Sequence, residues 1–139
     1  MDLFVDTSVW SLALRRDAPD PTPEVHALAD ALQGGDTLVT TGLVLQELLQ
    51  GFSGPKARED IISRFSALPL IVPDRRDHIE AAELRNTCRR KGLQLGTIDA
   101  LFAQLCRRRG LTMLTTDRDF HQVARLIGLR TWETPSNRH

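Results

Sequence analysis

Leu3-Phe4-Val5-Asp6-Thr7-Ser8 places three apolar residues directly before an acid and two hydroxyls. The apolar run reads as a short strand, and the polar trio as the entry to a helix reaching about Arg15, with Thr7 or Ser8 able to cap it. The same alternation continues along the chain. Leu38-Val39-Thr40 is a second strand, followed by a helix from Gly42 to Gln50 that Gly51 stops. Leu70-Ile71-Val72 and Met113-Leu114-Thr115 repeat the apolar run, and Arg130-Thr131-Trp132 is a last strand. Between them fall helical stretches at Glu24–Gln33, Lys56–Ser66, Arg75–Lys91, Ile98–Arg109 and about Phe120–Leu126, with Thr97 placed to cap the fourth. A Pro-rich loop spans residues 17–23, and residues 133–139 read as a loose tail after a single domain over 1–132. Short strands alternating with helices imply an α/β fold, a parallel sheet with helices on its faces.

The length of 139 residues suits one domain with a core of its own. Tyr is absent and aromatics make up 5%, so the core is aliphatic. Net charge is zero but unevenly spread: residues 1–70 hold ten acids against five bases, and residues 71–139 hold thirteen bases against eight acids. Two basic runs stand out, Arg89-Arg90-Lys91 and Arg107-Arg108-Arg109. Both fall where helices end, which the helix dipole explains, and either would also serve as a phosphate-contacting surface. Cys88 and Cys106 lack metal or redox spacing and read as helix residues in a reducing compartment. No stretch resembles a signal peptide or a membrane span, so a cytoplasmic protein without membrane partners is expected.

In a parallel sheet, ligands bind beyond the carboxyl ends of the strands. Asp6 follows the first strand directly, and Asp117 lies two residues past the fourth. Asp99 sits in the first turn of a helix that packs through Ile98, Leu101, Phe102 and Leu105; Glu47 flanks an apolar sector set by Val44 and Leu48. Each acid alone has an ordinary explanation as a cap or a dipole partner. Together, four carboxylates at one sheet edge would repel, and divalent cations resolve the conflict. An all-oxygen set favours Mg2+ or Mn2+ over zinc, and one or two such ions suit displacement at phosphorus. Asp119 is an alternative to Asp117 or a support for it. No GxxxxGK[ST], GxGxxG or GxSxG motif is present. His26, His78, His121 and His139 are scattered and read as structural, His121 alone lying near a proposed acid. Trp10 and Trp132 read as packing residues.

Four segments resemble the PIN-domain family, in particular the VapC-type toxins of bacterial toxin–antitoxin pairs. They are Leu3–Trp10, Leu43–Gly51, Gly96–Leu101 and Thr115–Phe120, in the family's order and spacing. The resemblance implies a three-layer α/β/α sandwich and an Mg2+- or Mn2+-dependent endoribonuclease. By position, Asp6 and Asp99 match the principal metal ligands. Glu47 matches the acid that completes the shell, and Asp117 the fourth acid. Thr7 and Ser8 match the hydroxyl positions beside the first Asp, and Asp119 a position that is often acidic. The resemblance also implies an RNA substrate, a homodimer and a small VapB-like antitoxin that inserts a segment, often with an Arg, into the acidic cleft. Helices 42–50 and 56–66 resemble the pair that grips the antitoxin, although their apolar content also suits a core. A non-catalytic RNA-binding module of the same fold and a DNA nuclease are the competing readings.

Overall fold

The computed structural model describes residues 1–15 and 22–134; most of the Pro-rich loop and the end of the tail lie outside the described residues. Strand β1 (Asp2–Val5) leads into α1 (Thr7–Ala13) and α2 (Pro23–Gln33). Strand β2 (Thr37–Thr41) is followed by α3 (Gly42–Gly51) and α4 (Pro55–Phe65), and β3 (Leu70–Ile71) by α5 (Arg75–Arg90) and α6 (Thr97–Arg109). Strand β4 (Thr112–Leu114), helix α7 (Arg118–Ile127) and strand β5 (Arg130–Thr131) complete the fold.

The five strands form one sheet in the order β3-β2-β1-β4-β5, and every pairing is parallel. The chain runs outward from β1 to β3, then crosses back to β4 on the other side of β1. Strand–helix–strand crossovers are right-handed, so this reversal puts α1–α4 on one face and α5–α7 on the other. The helix contacts divide the same way: α1 packs on α2 and α3, and α3 on α4, while α5 packs on α6 and α7. The result is the α/β/α sandwich expected from the resemblance. It has one topological switch point, between the carboxyl ends of β1 and β4.

The core is aliphatic with a few aromatic anchors. Phe4 of β1 meets Phe102 of α6 at a centroid distance of 5.1 Å, and Trp10 of α1 meets Phe65 of α4 at 4.9 Å. Burying each such ring is worth roughly 1.5–3 kcal/mol. Helix α6 is buried without a break from Ala100 to Cys106, since it lies between the sheet and α5. Its end is a left-handed turn at Gly110 (φ 64°), after which the Leu111 N–H returns to the Cys106 carbonyl at 2.9 Å. Gly128 (φ 70°) ends α7 in the same way, and each turn delivers a buried leucine to the next strand.

Element boundaries depart from the sequence reading in small ways with clear causes. Neither Thr7 nor Ser8 caps α1, because Asp6 holds the N-cap position and both hydroxyls are used elsewhere. Gly96, not Thr97, is the N-cap of α6, and no side chain caps that helix. Helix α7 begins at Arg118 because Asp117 caps it, accepting the Asp119 N–H at 2.9 Å. Val72 leaves the edge strand β3 and is 80% exposed. The inner faces of α3 and α4 (Val44, Leu48, Ile61, Phe65) belong to the core. Among the described residues no helix is long and apolar enough to cross a membrane.

Candidate functional site at the switch point

Asp6 stands at the point where β1 becomes α1. Its N–H donates to the Leu114 carbonyl of β4 at 2.9 Å, so the residue is fastened to both strands of the switch point. The side chain is buried, and Oδ2 accepts two hydroxyl protons, from Ser8 Oγ at 2.8 Å and from Thr115 Oγ1 at 2.9 Å. Those hydroxyls are themselves oriented by amides. The Asp117 N–H donates to Thr115 Oγ1 at 2.9 Å, and the Thr116 N–H donates to Ser8 Oγ at 3.2 Å. A carboxylate is acceptor-only, so each hydroxyl gives its proton to Asp6 and offers lone pairs to the loop after β4. Burial pushes the Asp6 carboxyl above its usual range, and the two hydroxyls work against that rise.

Glu47 projects from α3, half-buried, and its Oε1 accepts the Thr7 hydroxyl at 2.8 Å. That contact ties the start of α1 to the middle of α3. Asp99 occupies the first turn of α6, and Asp117 and Asp119 the start of α7. The Asp99 carboxyl is pushed up to about 6, first by burial and then by the negative charges of Asp6, Asp117, Glu47 and Asp119. All five acids therefore share one field, although they come from four separate parts of the chain. None forms a salt bridge with any described residue. Among the described residues the cluster carries a negative charge that no salt bridge balances.

As the side chains stand, no group of three or more His, Cys, Asp or Glu among the described residues is arranged to hold a metal ion. The acids are neighbours through their charge rather than through a closed coordination sphere. The donor set still fits a hard divalent cation in kind: carboxylate oxygens, adjacent hydroxyls, and no salt-bridge partner among the described residues. Mutual repulsion holds ionised carboxylates apart until a cation draws them in.

Thr115 is the residue that the sequence reading did not single out for the site. It is buried, closes β4, and links Asp6 to Asp117 through one oxygen. Its signal was a hydroxyl at the end of an apolar strand, two residues before an acid. His121 Nε2 lies 3.4 Å from the Thr115 carbonyl oxygen, which gives that histidine a bracing position beside the site. His26 and His78 are exposed, and His139 lies outside the described residues. Cys88 and Cys106 are free and buried, and burial pushes both thiols up, so neither is a ready nucleophile.

A parallel sheet with an acidic switch point defines a class: an α/β protein whose site gathers acids from the ends of β1 and β4 and from the helices beside them. The PIN-domain family model matches residues 3–126, and the chain belongs to that family. Solved structures agree. VapBC2 from Rickettsia felis, bound to a promoter DNA fragment, aligns with a TM-score of 0.70 at 25% identity over 96% of this chain and 100% of that one. VapBC-1 from nontypeable Haemophilus influenzae aligns at 0.73 and 17% identity over 96% and 98%. The Sarcin-Ricin loop cleaving toxin VapC20 from Mycobacterium tuberculosis aligns at 0.65 and 22% identity, over 87% and 94%. The latter two likenesses speak for the fold alone. No curated protein matches the sequence significantly. The VapC-type relatives read from four short motifs are those the fold comparison returns.

Proposed function

We propose that this protein is a cytoplasmic Mg2+- or Mn2+-dependent endoribonuclease and the toxin of a toxin–antitoxin pair. Membership of the PIN-domain family, whose members are typically nucleases, supports the general class. One observation carries the specific reading. Five acids meet at the switch point with no salt-bridge partner among the described residues, and burial together with their mutual repulsion raises the Asp99 carboxyl to about 6.

Asp6, Glu47, Asp99 and Asp117 would hold one or two divalent ions, with Asp119 at the rim. A divalent cation there would make water a stronger nucleophile and stabilise the leaving 3′ oxygen. The chain's own residues supply positioning. Ser8 and Thr115 hold the Asp6 carboxylate in one orientation, and Thr7 holds Glu47. Thr115 ties Asp6 to the loop after β4, so its one hydroxyl links Asp6 to the Asp117 backbone. A cationic segment of a VapB-like antitoxin would be attracted to the same acids, which gives the pair a means of inhibition. A homodimer is part of the same reading.

The test is cleavage of single-stranded RNA and of DNA of the same sequence, with Mg2+, with Mn2+ and with chelator. RNA alone should be cut, only with metal, and Asp6→Ala and Asp99→Ala should fall to background while melting as folded proteins. Wild-type rates in either variant would overturn the assignment. Cleavage of DNA in preference would replace ribonuclease by deoxyribonuclease, and tight RNA binding without cleavage would leave a binding module.

A further inference from the structure

The two basic runs differ in what surrounds them. Arg108 Nη1 lies 2.9 Å from Asp74 Oδ1 and 3.0 Å from Asp77 Oδ1, and Arg109 Nη2 lies 3.3 Å from Asp77 Oδ2. Those two arginines hold α6 to α5, while the exposed Arg107 donates to the neutral Gln104 Oε1 at 3.3 Å on its own helix. Arg89, from the other run, and Arg85, one turn earlier on α5, form no salt bridge with any described residue. The Arg85 Nε–H donates to the Leu95 carbonyl at 2.9 Å, and Arg89 Nη2 donates to the neutral Asn86 Oδ1 at 2.6 Å. Both arginines line a cavity of about 260 Å³, closed by the backbone stretch 93–96 and by Asp119.

This cavity adjoins the acids. Asp119 belongs to its wall and also contributes to the field on Asp99. Gly96 also lines the cavity, and a Cβ there would lie 3.7 Å from Asp99 Oδ2. The Gly96 backbone (φ −67°) is open to any residue, so neither strain nor crowding requires glycine. Gly96 thus places the wall of the cavity beside the Asp99 carboxyl.

We propose that Arg85 and Arg89 form a subsite for a backbone phosphate of the RNA strand, next to the phosphate that is cleaved; this rests on the ribonuclease reading above. An anionic strand approaching five carboxylates is repelled, and unpaired guanidiniums one cavity away offset that repulsion and set the strand's register. The Arg85 bond to Leu95 holds the loop, so Arg89 is the cleaner probe.

The experiment compares wild type with Arg89→Gln and Arg89→Lys, and with Arg58→Gln on α4 as a control for net charge. Steady-state cleavage of single-stranded RNA should show KM raised ~10-fold in Arg89→Gln with kcat nearly unchanged, and largely restored in Arg89→Lys. Binding of a fluorescein-labelled single-stranded RNA, measured by anisotropy in an Asp99→Asn background, should lose about 0.7 from its salt slope with Arg89→Gln. Unchanged KM and slope, or an equal effect of Arg58→Gln, would overturn the subsite. If the wild type does not cleave RNA, the ribonuclease reading falls, and the binding arm still decides the subsite.

Discussion

Thr115 does more for the site than its single hydroxyl suggests. Its oxygen donates to Asp6 and accepts from the Asp117 amide, both at 2.9 Å, in a position closed to water. Valine has the same shape but neither capacity. Thr115→Val should leave the buried Asp6 oxygen and the Asp117 N–H each one partner short, at a cost of roughly 1–3 kcal/mol. Urea unfolding measures that cost. RNA cleavage should fall about 10–100-fold, as for other groups that orient a metal-binding carboxylate. A variant that loses stability but cleaves at the wild-type rate would show that the link is structural only.

At the scale of elements, α5 and α6 are joined end to end by one buried acid. Asp77 forms a capping box with Asp74 at the start of α5 and also receives Arg108 and Arg109 from the end of α6. Burial raises its carboxyl, but the Asp74 hydrogen bond and the two guanidiniums outweigh this and hold it at about 2. A carboxyl held below its unfolded value of 3.8 stabilises the fold above that pH, and the contribution is lost as pH falls toward about 2. Asp77→Ala should cost about 2 kcal/mol near neutral pH. Thermal melts across the acid range should show the gap between variant and wild type narrowing below about pH 4. A gap independent of pH would exclude the ionised bridge. The same bridge explains why Arg108 and Arg109 do not form the open cationic surface that the composition of their run allowed.

The acid cluster belongs to the whole molecule, because no one element contains it. Asp99 is raised from 3.8 to about 6, so the unfolded chain gives up this proton first as pH rises. The metal-free fold therefore loses stability between about pH 4 and pH 6 and gains none of it back above. Asp99→Asn carries no charge to repel, so without metal it should melt higher than wild type at neutral pH, with the advantage vanishing in acid. Added Mn2+ should reverse the order by stabilising wild type alone. Calorimetry with chelator and with Mn2+ reads both halves, and a wild type that melts higher in chelator would refute the repulsion.

Much of this was legible in the sequence. The Leu3–Ser8 and Met113–Asp117 segments announce strands ending in acids, and Gly110 marks the end of its helix because left-handed backbone selects glycine. Caps were less legible. Asp6, Thr7 and Ser8 are all good N-cap residues, and only contacts with Thr115 and Glu47, far away in sequence, decide how the hydroxyls are used.

By itself the sequence determined the alternation of strands and helices, the four acids and their order, and the family they resemble. Those are properties of neighbours along the chain and of spacing. The tertiary structure alone decided that β1 and β4 lie side by side, which brings Asp6 to Asp117. It also decided that Thr115 joins them, and that Arg108 and Arg109 are neutralised while Arg89 faces a cavity beside the acids. The reason is physical: charge and hydrogen bonding act over a few ångströms of space, and the crossover that sets those distances is not written in any one segment.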